Sequence, residues 1–72
     1  MTPMTEQEAR AALKKAMPWV RWVHCWPSND GWGVEVDSGV GRNGIELFGA
    51  GRTLRAAVSA AIRAWERAKG AK

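Results

Sequence analysis

The residues best equipped for chemistry in this sequence are few. His24 and Cys25 are its single histidine and single cysteine, and they are adjacent. Neighbours in a strand point to opposite faces, so thiol and imidazole cannot form the dyad of a nucleophilic enzyme. One histidine with one cysteine also falls short of the usual ligand set of a zinc site. Glu35 and Asp37 alternate onto one face of a strand pattern, and Glu46 could join them. A carboxylate pair on an exposed strand is more often solvated surface than the acid and base of a hydrolase. Gly39-Val-Gly41 and Gly49-Ala-Gly51 are too brief for a nucleotide loop, because neither leads into a Lys-Ser/Thr pair or sits in a βαβ unit. The expectation is a protein that is not an enzyme, with no cofactor, no metal and no small-molecule substrate.

What remains is the chemistry of binding, and it is concentrated in the last third of the chain. From Arg52 onward six basic residues, Arg52, Arg55, Arg63, Arg67, Lys69 and Lys72, face Glu66 alone. Residues 1–51 carry one net negative charge, so the whole excess behind the net +4 belongs to this segment. At 100° per residue, Arg55, Ser59, Arg63 and Arg67 run in steps of four along one side of a helix. A single-signed face of this kind attracts phosphate or an acidic protein surface. The plainer reading stands beside it: the macrodipole favours cations near a helix C-terminus, and Arg and Lys keep an Ala-rich helix soluble.

The elements that must position these residues follow from capping and periodicity. Thr5-Glu-Gln-Glu8 is a capping box that opens a helix over about 5–17, ended by Pro18. Ala9, Ala12, Leu13, Ala16 and Met17 give that helix a narrow apolar stripe. Trp19 to Trp26 reads as a first strand, bounded by Pro18 and Pro27. Pro27-Ser-Asn-Asp-Gly31 is a turn, and Trp32 to Asp37 alternates strictly, with Trp32, Val34 and Val36 on one face. A glycine-rich loop, Ser38 to Gly44, leads to a short third strand at 45–48. Gly49 and Gly51 are expected in a strand-to-helix turn, with Thr53 as N-cap of a helix over about 53–69. On that helix Leu54, Val58, Ala61, Ile62 and Trp65 form the core side, and Ala56, Ala60 and Ala64 form a nearly bare strip. The order helix, three-stranded antiparallel meander, helix predicts an α+β fold, a two-layer sandwich with both helices on one sheet face.

Size limits how this sandwich is held together. The 72 residues make one small domain, and a chain this short buries only roughly 60% of its unfolded surface. Five tryptophans are expected to supply a dense core in place of disulfides or metal. The lone cysteine favours a reducing compartment, and with no long apolar run or leader pattern the expected location is cytoplasmic, away from membranes.

The helices cover only one face of the sheet, yet large aromatics alternate onto both faces of the first strand. A hairpin symmetric about Asn29 would put Trp22 and Trp26 with Val34 and Val36, whereas a one-residue shift would reverse every side chain. In either register at least one tryptophan lies on the open face or its rim, near Phe48. Trp22, Trp26 and Phe48 are therefore the candidate contact aromatics, able to anchor a protein interface or stack on bases. A homodimer through this face or through the alanine strip is a further alternative.

The segment Gly49-x-Gly51-Arg52-Thr53-x-Arg55-x-Ala57-x-x-x-Ala61 resembles the last strand and helix of double-stranded-RNA-binding domains. That likeness implies the helix–meander–helix fold and phosphate contacts for Arg52 and Arg55. Leu54 and Val58 stand where that family carries lysines, and Pro27-Ser28-Asn29-Asp30 replaces its minor-groove loop. The stretch Gly51 to Ile62 is equally similar to the Thr-Leu-x-x-Ala-x-x-x-Ala-Ile helix of HicB-like antitoxin domains and of small phage and prophage proteins. The first expectation is a non-catalytic accessory protein, of the kind small phage or prophage genes encode, that docks on and modulates a host protein complex through the exposed aromatics and the basic helix, an anti-CRISPR-like inhibitor being one instance. The alternative is a nucleic-acid-binding module that uses Arg52, Arg55, Arg63 and Arg67. The missing lysines and loop rank protein binding first.

Overall fold

The computed structural model describes residues 3–39 and 44–70. Along them run α1 (Glu6–Ala16), β1 (Trp22–Ser28), β2 (Gly31–Asp37), β3 (Glu46–Gly51) and α2 (Leu54–Gly70). The strands form one antiparallel sheet in the order β1-β2-β3, so the α+β architecture expected from the sequence is the observed one. Residues 40–43 of the glycine-rich loop, with Arg42, and the ends 1–2 and 71–72, with Lys72, lie outside the described residues.

Both helices start where local hydrogen bonding dictates. Thr5 Oγ1 accepts from the Glu8 N–H at 3.1 Å, and Glu8 Oε1 accepts from the Thr5 N–H at 2.9 Å, which completes the capping box. At α2, Thr53 Oγ1 accepts from the Ala56 N–H at 3.0 Å. α1 gives out before Pro18, and the Met17 N–H closes its end by donating to the Leu13 carbonyl at 2.8 Å.

Both ends of β1 and of β3 differ from the sequence pattern, and β2 starts one residue earlier than expected, at Gly31. β1 starts at Trp22 and not Trp19, because Pro18 and Trp19 form a turn in which the Val20 N–H donates to the Met17 carbonyl at 3.0 Å. That turn sends Trp19 toward α2, where its ring meets Trp65 at 5.1 Å and 58°. β1 then continues through Pro27 and Ser28, paired with Trp32 and Gly31. It is an edge strand, where a proline is tolerated. β3 starts at Glu46 and runs on to Gly51, so Gly49 and Gly51 belong to the strand and not to a turn. A Cβ at Gly49 would run into the backbone of Ala57 and Ala61, and one at Gly51 into Ala56 and Ala57. These glycines let α2 lie directly on the strand.

The hairpin register answers the question left open by the alternation. Ser28 pairs with Gly31 across a two-residue Asn29-Asp30 turn, and Val23 and Cys25 oppose Val36 and Val34. Trp22, His24 and Trp26 are therefore on the face away from Val34 and Val36, one residue out of step with a hairpin centred on Asn29.

The core lies between the sheet's other face and the helices. Ala9, Leu13 and Met17 from the α1 segment meet Val34 and Val36 from β2 and Leu54, Ala57, Val58 and Ala61 from α2. α1 leans chiefly on α2 and more lightly on β1. No tryptophan is among the fully buried residues, so the indoles do not form the dense centre expected of them. Trp19, Trp32 and Trp65 pack half-buried around the rim, because the space between α2 and a glycine- and valine-lined sheet face is too thin for an indole. Among the described residues no helix is long and apolar enough to cross a membrane.

Candidate functional site

Strand pairing sets out the uncovered face of the sheet as three rows. Trp22, Asp37 and Glu46 form the first; His24, Glu35 and Phe48 the second; Trp26, Gly33 and Ala50 the third. Trp22 is 59% exposed, Phe48 57% and Trp26 39%. All three candidate aromatics thus share one surface, brought together by the register that the sequence left undecided. Their surroundings differ: Trp22 has the Arg21 guanidinium carbon 5.5 Å from its ring centre. Trp26 instead lies down over Gly33, whose missing side chain makes room for the indole. Beside it a shallow groove of about 350 Å³ runs to Phe48 over Gly33 and Ala50.

Glu35, Asp37 and Glu46, named in the sequence only as a surface pair that a third carboxylate could join, do come together. Their carboxylate oxygens lie within 4.8 Å of one another. A hydrogen bond shared with the Glu35 carboxyl group, some desolvation and the charges of Glu35 and Asp37 raise the Glu46 pKa above its ordinary value. Asp37 also accepts from the Gly39 N–H at 2.6 Å, which ties the end of β2 to the loop. The cluster sits between Trp22 and Phe48, so this face is both aromatic and acidic. The combination had no signal in the sequence beyond the alternation of β2, because its third member depends on the pairing of β3.

His24 and Cys25 point to opposite faces, as their adjacency requires. Cys25 is half-buried on the helix side, where burial first and the nearby Glu6 second raise its thiol pKa; Arg10 pulls the other way. The arrangement suits a quiet structural thiol.

The basic residues lie elsewhere. Arg55, Arg63 and Arg67 are exposed on α2, and Arg52 is exposed just before it. The row from Arg55 to Arg67 spans about 18 Å at the helical rise. Arg63 and Arg67 sit toward the C-terminal half, where the macrodipole favours them, but Arg52 and Arg55 stand at its positive end. Arg55 has Glu8 nearby, and its charge helps lower the Glu8 pKa behind the larger effects of the two Thr5 hydrogen bonds. Among the described residues the one ion pair is Lys69 with Glu66, at 3.1 Å. Arg52 and Arg55 also edge an apolar cleft of about 430 Å³ lined by Pro3, Met4, Trp32 and Leu54.

The molecule therefore presents an aromatic, acidic sheet face and a basic helix, and among the described residues no charged group is buried. Compared with known proteins, the chain matches no family model, no curated protein and no solved structure.

Proposed function

We propose that this chain is a non-catalytic protein-binding module whose contact surface is the open sheet face, in the manner of a phage-type accessory protein that modulates a host complex. The observation that carries the reading is the sharing of one uncovered face by Trp22, Trp26 and Phe48. Exposed aromatics of this size are the usual anchors of protein interfaces, and folding alone gives no reason to leave them in water. The carboxylates among them work against stacking on nucleic acid, since phosphates would approach three acidic groups.

A second reading places nucleic acid on α2. It is favoured by Arg52 and Arg55 at the end of the helix where its dipole disfavours cations, in a first turn with no acidic residue.

Paired variants separate the two. In pull-downs from a bacterial lysate, a partner bound through the sheet face is lost with Trp22→Ala/Phe48→Ala and kept with Arg55→Glu/Arg63→Glu. Nucleic acid on the helix gives the opposite pattern, with a log–log salt slope corresponding to about three or four phosphates. Retention of a partner by both variants removes both surfaces from consideration.

A further inference from the structure

The open face has a sign as well as a shape. Of its nine positions three are acidic, three are large aromatics, and none is an arginine or lysine. Arg21 belongs to the same end of the sheet, and its guanidinium is taken up against the Trp22 ring. This leaves three carboxylates within 4.8 Å of each other with no ion pair among the described residues.

Resting on the reading of this face as a protein-docking surface, we propose that its occupant is a cationic segment of the partner. An arginine or lysine head would seat over Glu35, Asp37 and Glu46, with its stem against the rings of Trp22 and Phe48. Charge complementarity carries the choice of occupant. In the free chain the clustered carboxylates repel one another, and an incoming cation turns that cost into attraction. The raised Glu46 pKa is a mark of the same crowding. Aromatic rings at the border add cation–π attraction and cover the aliphatic stem, and the Arg21 guanidinium already lies against the Trp22 ring. Nucleic acid does not suit the face, because its phosphates repeat the sign of the carboxylates. A second copy packed face to face does not suit it either, because it would set two acidic clusters against each other.

The net charge of +4 makes the test demanding, since the chain as a whole repels a cationic peptide. Attraction must therefore come from this surface. The probes are a fluorescein-labelled peptide of Arg-Gly-Ser repeats, its Glu-Gly-Ser counterpart, and single-stranded DNA, each titrated against the full chain by fluorescence anisotropy. Indole N–H signals are followed by NMR. The expected result is saturable binding of the arginine peptide that shifts the Trp22 and Trp26 indole signals. Binding should weaken by about tenfold or more in Glu35→Gln/Asp37→Asn/Glu46→Gln, whose fold is checked by circular dichroism, and should not weaken in Arg55→Glu/Arg63→Glu, which lowers the overall repulsion and leaves every carboxylate of the face in place. Trp22→Ala/Phe48→Ala, which removes rings and leaves every carboxylate in place, should also weaken it.

Equal binding by the neutralised variant, or no shift at the indoles, overturns the cationic occupant. A subsequent display selection tells that failure from a failure of the docking surface itself. Neutral or acidic peptides that need Trp22 and Phe48 would leave the surface standing with a different partner, and an empty selection would remove both. Self-association in sedimentation, lost in both the neutralised and the Arg55→Glu/Arg63→Glu variants, would make the occupant the basic helix of a second copy and overturn a foreign partner.

Discussion

The two faces of the sheet are made from the same three strands and treat side-chain size in opposite ways. Toward the helices β3 presents Leu47, Gly49 and Gly51, and toward water Glu46, Phe48 and Ala50. β1 turns Val23 and Cys25 inward and leaves Trp22, His24 and Trp26 outside. The covered face is lined by small and aliphatic groups except at its rim, where Trp32 packs half-buried, and the open face holds Trp22, Trp26 and Phe48. Stability accounts for the first arrangement: glycines and valines admit α2 at close range, and Ala57 and Ala61 are completely buried there. It does not account for the second, since more than half of the Trp22 and Phe48 side-chain surfaces remain wet. The difference teaches that one face carries the fold and the other is available for contact.

Substitutions can break this division or refine it. The largest effect is expected at Leu13, fully buried where α1 meets α2. Leu13→Ala should lower unfolding free energy by about 2–5 kcal/mol, measured by urea denaturation. Gly49→Ala follows at about 1–3 kcal/mol, because the added methyl enters the α2 backbone and only a shift of the helix relieves it. A Gly49→Ala variant as stable as the parent would show that the close approach of α2 is not required.

The open face should respond far less. Trp26→Ala is expected to cost up to about 1 kcal/mol, since its ring covers Gly33 across the strand pair. Trp22→Ala and Phe48→Ala should stay within about 0.5 kcal/mol of the parent by the same denaturation assay, while removing partner binding. A large loss of stability at Trp22 would move it from contact residue to structural residue.

The smallest effect is a matter of pH. The Glu46 pKa is raised in the fold, so the folded chain binds a proton more readily than the unfolded chain. Its contribution favours folding below the unfolded pKa and fades as pH rises through the folded one. Glu8, lowered chiefly by the Thr5 hydrogen bonds, runs the other way: its contribution is present above its unfolded pKa and is lost as pH falls through the folded one. Glu46→Gln should therefore be the more stable chain at neutral pH and lose its advantage under acid, whereas Glu8→Gln should be the less stable at neutral pH. Thermal melts across the carboxylate range measure both.

Much of this division could be read before any coordinates, and the exceptions have definite causes. Thr5 and Thr53 announced their helices because capping is a contact between residues three apart. The stripe of Ala9, Leu13 and Met17 and the alternation of β2 named most of the core, because a helix or strand imposes its own period. Gly49 and Gly51 read as a turn from sequence, since glycine signals a bend and a close approach alike and the sequence does not show what comes close. The basic row of α2 was also legible, being a property of one helix. The neighbour of Arg55, Glu8, sits on the other helix and was not.

Local order, then, was settled by interactions within a few residues: caps, breakers, periodicity and the charge of the last helix. The tertiary structure decided which side of β1 meets water. That choice turns on whether the hairpin centres on Asn29 or between Asn29 and Asp30, and every side chain of a strand changes face with a one-residue shift. The pairing of β3 then decided that Glu46 joins Glu35 and Asp37 and that Phe48 shares a surface with two tryptophans. Such a surface is assembled from three strands whose alignment depends on how α2 packs behind them, so no single stretch of the chain contains it.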